Sequence, residues 1–103
     1  MSNHELLSNL ETMFSVLLRK KLVKNGIAIL NGLEEIILEL EYLYKIYDAN
    51  DKPFEKRMIK LLTSIGEFRS AVKLVRRLSI EYPQDLTLTG AALKKLENNY
   101  KAI

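Results

Sequence analysis

Cysteine is absent from the 103 residues. That removes disulfide scaffolds and thiolate metal or redox centres, and it fits a reducing compartment. Tryptophan is absent too, and the single histidine, His4, leaves no second imidazole for a catalytic triad or a usual zinc centre. Two prolines and four glycines are too few for the many turns of an all-β sandwich. No apolar run reaches the ~18 residues of a membrane span, and residues 1–5 lack the basic start and apolar run of a secretory signal. A cytoplasmic protein is therefore expected. Nucleophile elbows, phosphate-binding glycine loops and paired catalytic histidines are all missing, so neither enzymatic chemistry nor a cofactor is expected.

What the chain does contain is 48% hydrophobic and 28% charged residues, the balance of a globular protein with one core. A single helical domain spanning 1–103 is expected. The net charge of +3 is mildly basic, compatible with an acidic protein, anionic lipid or nucleic acid and specific for none.

Ser2 and Glu5 have capping-box spacing, and Leu6, Leu10, Met13, Phe14, Leu17 and Leu18 recur at helical intervals. These predict a first helix over about 4–24, with Arg19, Lys20, Lys21 and Lys24 at its negative end and Asn25-Gly26 as a left-handed cap. Asn31-Gly32 either ends a short piece or lies inside a helix that runs to about Asp48 with a kink near Gly32; the latter is favoured. This second helix is apolar on most of its circumference. One stripe is Leu33, Ile36, Ile37, Leu40, Leu43, Tyr44 and Tyr47; a second is Leu38, Tyr42 and Ile46. Such a helix is either central or covered by a partner. Residues 48–53 form a turn with Asp51 as N-cap and Pro53 in the first turn of a third helix. Phe54, Met58, Leu61, Leu62 and Ile65 supply that helix's apolar face, and Gly66 closes it. A fourth helix over 67–81 buries Ala71, Leu74, Val75, Leu78 and Tyr82 and stops at Pro83. Asp85 or Thr89 caps a last helix through Ala92, Leu93, Leu96 and Tyr100. The expected fold is an antiparallel all-α bundle or array of four to five helices.

Gly66, Phe68, Ala71, Val75, Leu78 and Pro83 recur where a tetratricopeptide repeat places its turn, aromatic, small crossing residue, later apolar contacts and stop. Residues 53–85 thus resemble such a helical hairpin. Gly32, Leu40 and Asp51 stand 34 positions before Gly66, Leu74 and Asp85, the period of that family. The pattern is incomplete. Glu55 and Ile59 fall where the preceding helix of the family has an aromatic and a glycine, and the earlier window has Ile37, Glu41 and Ala49 at its small, apolar and proline positions. The resemblance implies stacked hairpins that hold a peptide or helix.

The leading expectation is a small adaptor or chaperone-like module. Its candidate contacts are the basic set Arg69, Lys73, Arg76 and Arg77, suited to an acidic partner, and the apolar set Leu38, Tyr42 and Ile46, suited to an apolar helix. The same apolar set would equally serve a homodimer. In size, charge and helical pattern the chain also resembles bacteriocin immunity proteins, which are antiparallel four-helix bundles. Nucleic-acid binding through Arg19, Lys20, Lys21 and Lys24 with Lys56, Arg57 and Lys60 is a third possibility, disfavoured because acidic residues dilute the charge throughout. Glu34, Glu35, Glu39 and Glu41 lack the Glu-x-x-His companions of a di-iron bundle and read as a solvated side.

Overall fold

The computed structural model describes residues 2–81 together with Lys95 and Asn98, both helical; among these residues the chain is all α. Three helices follow one another, α1 (Asn3–Leu18), α2 (Leu22–Ile46) and α3 (Lys52–Glu81). The helix expected after Pro83, and the burial expected for Tyr82, lie outside the described residues. Short connections fold α2 back along α1 and α3 back along α2. Glu34 of α2 consequently meets Arg69 of α3, while Glu11 of α1 meets Arg57 of α3.

Each helix contributes a buried stripe whose positions alternate three and four residues apart. On α1 the stripe is Leu7, Leu10, Phe14 and Leu17. On α2 it includes Ile29, Leu33, Ile36, Leu40 and Leu43, and on α3 it is Phe54, Met58, Leu61, Ile65, Phe68, Val72 and Val75. A mean spacing of 3.5 residues keeps one seam facing its neighbours along a long helix, the geometry of coiled-coil-like bundles. At the centre Phe14 and Phe68 meet edge to face, 5.9 Å between centroids, an orientation that matches ring edge to ring face.

Among the described residues through Glu81 three helices stand where four were expected, and the spacing explains that difference. Gly66 is not a turn. It lies inside α3 without a positive φ, because the buried stripe passes from Ile65 to Phe68 and Val72 without losing phase. Breaking the helix at Gly66 would take Phe68 and Val72, 1% and 0% exposed, out of the core. That burial outweighs the ~1 kcal/mol that an interior glycine costs. Leu74, expected inside, is exposed because it falls off the stripe.

At the first junction α1 ends at Leu18 rather than near residue 24. Its apolar spacing runs on into Leu22, and no glycine or proline marks the break. Leu22, 1% exposed, instead anchors the start of α2. Asn25-Gly26 is no left-handed cap: Asn25 (φ −116°, ψ 17°) makes a kink within α2, and the helix continues past Gly32. Gly26 and Gly32 are sites of close approach. A Cβ on Gly32 would come within 2.9 Å of Leu17 Cδ1, and one on Gly26 within 2.9 Å of Arg76 Cδ.

The N-caps expected at Ser2 and Asp51 form. Ser2 Oγ accepts from the Glu5 amide at 3.1 Å, and Asp51 Oδ1 accepts from the Phe54 amide at 3.2 Å. His4, at the start of α1, is fixed between elements. Its Nε2 lies 3.0 Å from Asp51 Oδ2, and its ring leans on Phe54 at 4.8 Å.

Candidate protein-interaction face

The outer surface of α2 is built by the residues left over once the buried stripe is taken. Helical periodicity puts Leu33, Ile36, Leu40 and Leu43 inward, so Leu38 and Tyr42 turn away from the core. Leu38 is 65% exposed, Tyr42 56% and Ile46 46%. The second stripe seen in the sequence is thus a surface stripe, uncovered within the described chain. Tyr44, expected in the buried stripe, is also exposed, at 63%. It stands one position past Leu43 and leans on Tyr47, centroids 5.6 Å apart.

Two grooves run beside this ridge. Between α2 and α3 lies one of about 280 Å³, lined by Leu40, Tyr44, Met58, Ile59 and Leu62 with Glu41 and Lys45. Between α1 and α2 lies a trough of about 440 Å³, lined by Leu6, Leu10, Met13 and Leu38 with Asn9, Glu35 and Glu39. Met13, Val16, Ile59 and Leu62 are further exposed apolar residues; Met13 shares the trough with Leu38, and Ile59 and Leu62 share the other groove with Tyr44. Sequence reading put Met13 and Leu62 in the core, passed over Val16 and named Ile59 only at a repeat position. The signal that places all four outside is the phase of the three–four stripe, off which each of them falls.

The basic set has a different fate. Arg69, Lys73, Arg76 and Arg77 share one face of α3 by spacing, but intramolecular partners hold part of it. Arg69 Nη2 bonds Glu34 Oε1 at 2.6 Å, Arg77 Nε lies 3.8 Å from Glu81 Oε1, and the Arg76 stem lies over Gly26. Lys73 is exposed. Of the residues considered for nucleic acid, Arg57 donates to Glu11 and to Ser8 across the α1–α3 interface. The Glu11 carboxylate beside it raises the Arg57 pKa further. Arg19, Lys20, Lys21 and Lys24 are exposed around the α1–α2 connection.

At the far end of α2, the Tyr47 hydroxyl donates to Glu55 Oε2 at 2.6 Å, closing the α2–α3 turn. Ionising Tyr47 would lose this bond and set a phenolate beside a carboxylate, so its pKa is pushed up to about 12.

Among the described residues no group of three His, Asp or Glu side chains is placed to hold a metal ion. No helix there is long and apolar enough to cross a membrane. What the arrangement offers is contact area, an apolar ridge with a groove on either side. Compared with known proteins, the chain matches no family model, no curated protein and no solved structure.

Proposed function

We propose that this chain is a small helical protein-interaction module, adaptor- or chaperone-like, whose working surface is the outer face of α2. A single observation carries the reading. Leu38, Tyr42 and Ile46 form an exposed apolar row along α2, and Tyr44 is exposed on its α3 side beside Ile59 and Leu62. Scattered surface leucines are ordinary, whereas a contiguous apolar face rimmed by charge is the mark of an interface. Tyrosines add large, stiff contact area with a polar tip, which suits a binding surface. This reading does not depend on the tetratricopeptide resemblance, whose turn at Gly66 falls inside α3.

The test is site-specific photo-cross-linking in the native cell, with the cross-linker at Tyr42 or, as a control, at Lys60. One dominant protein joined through position 42 and not through position 60 is expected. Equal or absent cross-links at the two positions would count against the α2 face.

A second reading is compatible with the described helices. Three antiparallel helices, with Lys95 and Asn98 helical beyond α3, suit the four-helix bundle of a bacteriocin immunity protein. Expression that protects a sensitive strain is the outcome this reading requires.

A further inference from the structure

The charge around the exposed stripe is mainly acidic. From residue 33 to residue 46, α2 carries four glutamates, Glu34, Glu35, Glu39 and Glu41, against one lysine, Lys45, in a protein whose net charge is +3. Glu34 is engaged by Arg69. Glu35, Glu39 and Glu41 are exposed and have no ion pair among the described residues. At 100° per residue, Glu35 and Glu39 fall on one side of Leu38 and Tyr42, and Glu34 and Glu41 on the other. The α1–α2 trough repeats the arrangement, with Met13 and Leu38 as apolar walls and Glu35 and Glu39 beside them.

We infer that this face takes a basic amphipathic helix, laid along the trough between α1 and α2 with its apolar stripe on Met13, Leu38 and Tyr42 and its lysines or arginines against Glu35 and Glu39. The inference rests on the interaction-module reading and names the chemistry of its partner. Two physical arguments select this occupant. A trough between two helices, flanked by a ridge whose side chains recur every four residues, accepts the i, i+3, i+4, i+7 stripe of a third helix. Its unpaired carboxylates favour an approaching cation, steer it from a distance and repel an acidic competitor. A second copy of this chain is the disfavoured occupant, because like faces would set these glutamates against one another. The preference is also the reverse of the one drawn from the basic set of α3, whose arginines are partly occupied within the molecule.

The experiment uses the full chain, isotope-labelled, with two synthetic probes of about 16 residues, long enough for a ~24 Å helix. One is an amphipathic leucine–lysine peptide and the other its leucine–glutamate counterpart with the same apolar stripe. Amide shifts map the site while titration gives the affinity. The leucine–lysine peptide is expected to move the amides of Met13, Leu38 and Tyr42 and to bind more weakly as salt rises. In the Glu35→Lys/Glu39→Lys variant it should lose roughly tenfold or more in affinity. Glu35→Gln/Glu39→Gln, which only removes charge, should lose less and guards against a misfolded reversal.

If the two peptides bind this face equally, or charge reversal changes nothing, the basic-partner inference fails and the apolar interface stands. If neither peptide moves these amides, the inference and the interface reading fail together. A concentration-dependent dimer that buries Leu38 and Tyr42 would likewise overturn the inference, in favour of a second copy.

Discussion

The outer face of α2 and the basic face of α3 both stand out in the sequence, and the fold treats them in opposite ways. On α3, Arg69 is turned to Glu34 of α2, Arg77 sits near Glu81, and the Arg76 stem covers Gly26. On α2, Leu38 and Tyr42 remain more than half exposed. Neighbouring Glu35, Glu39 and Glu41 are left without an ion pair among the described residues. Positive charge on a helix is readily absorbed, since a long cationic side chain reaches partners on the next helix and lays its stem on apolar surface. An apolar side chain on the outside of a helical bundle has no such recourse. It is covered by something else or it stays wet. Of two equally conspicuous patterns, the one left unsatisfied is therefore the better guide to function.

The largest effect separates inward from outward apolar residues. Phe68→Ala should cost about 3–5 kcal/mol of stability, because a central ring is removed. Leu38→Ala should stay within about 0.5 kcal/mol, as for other exposed sites. Denaturant unfolding of both variants checks this, and a large loss at Leu38 would show that the stripe is covered in the free chain. Next, Leu38→Ser/Tyr42→Lys should cut the yield of partner cross-linked from a distal reporter about tenfold or more with the melting temperature preserved. Arg76→Glu/Arg77→Glu should leave that yield within about twofold, the size of an exposed ion-pair effect. Reversed results would move the interface to α3.

Third, Gly66→Ala should stabilise by about 1 kcal/mol, since the position is inside a helix and a Cβ there meets nothing within 4 Å. Gly32→Ala gains the same propensity but must displace Leu17, so it should fall short of Gly66→Ala by roughly 1 kcal/mol or more. A destabilising Gly66→Ala would restore the hairpin turn. Fourth, Arg69→Met keeps the stem and removes both the bridge to Glu34 and a covered Nε that has no hydrogen-bond partner. Thermal unfolding should shift by no more than about 0.5–1 kcal/mol.

The smallest effect concerns the closed end of the α2–α3 pair. The Tyr47 pKa is raised above its ordinary value to about 12, so the unfolded chain releases this proton first. The hydrogen bond to Glu55 therefore stabilises fully below about pH 10, and its contribution is lost as the pH rises from there through about 12. Relative to Tyr47→Phe, the melting advantage of the native chain should shrink across that window. An unchanged difference would remove the proposed role of Tyr47.

Several local devices could be read directly. The Ser2 cap, the Asp51 cap with Pro53 behind it, and the inward placement of Leu33, Ile36, Leu40 and Leu43 follow from short-range chemistry and helical phase. The break after Leu18 was hidden, because helix-forming Arg19, Lys20 and Lys21 lie across it and the apolar spacing continues into Leu22. Gly66 misled for a complementary reason. Glycine tolerates a turn and is tolerated in a helix at a cost of ~1 kcal/mol, so its presence alone decides nothing.

The sequence by itself determined that these segments are helical, which residues share a face, and which side chains cap α1 and α3, because those depend on intervals of three to four residues. Only the tertiary structure decided that α3 runs unbroken through Gly66, that Leu38, Tyr42 and Ile46 are left uncovered among the described residues, and that Arg69 is paired. Periodicity tells which residues lie together; what covers them depends on side chains from distant parts of the chain, brought there by the shared burial of three stripes.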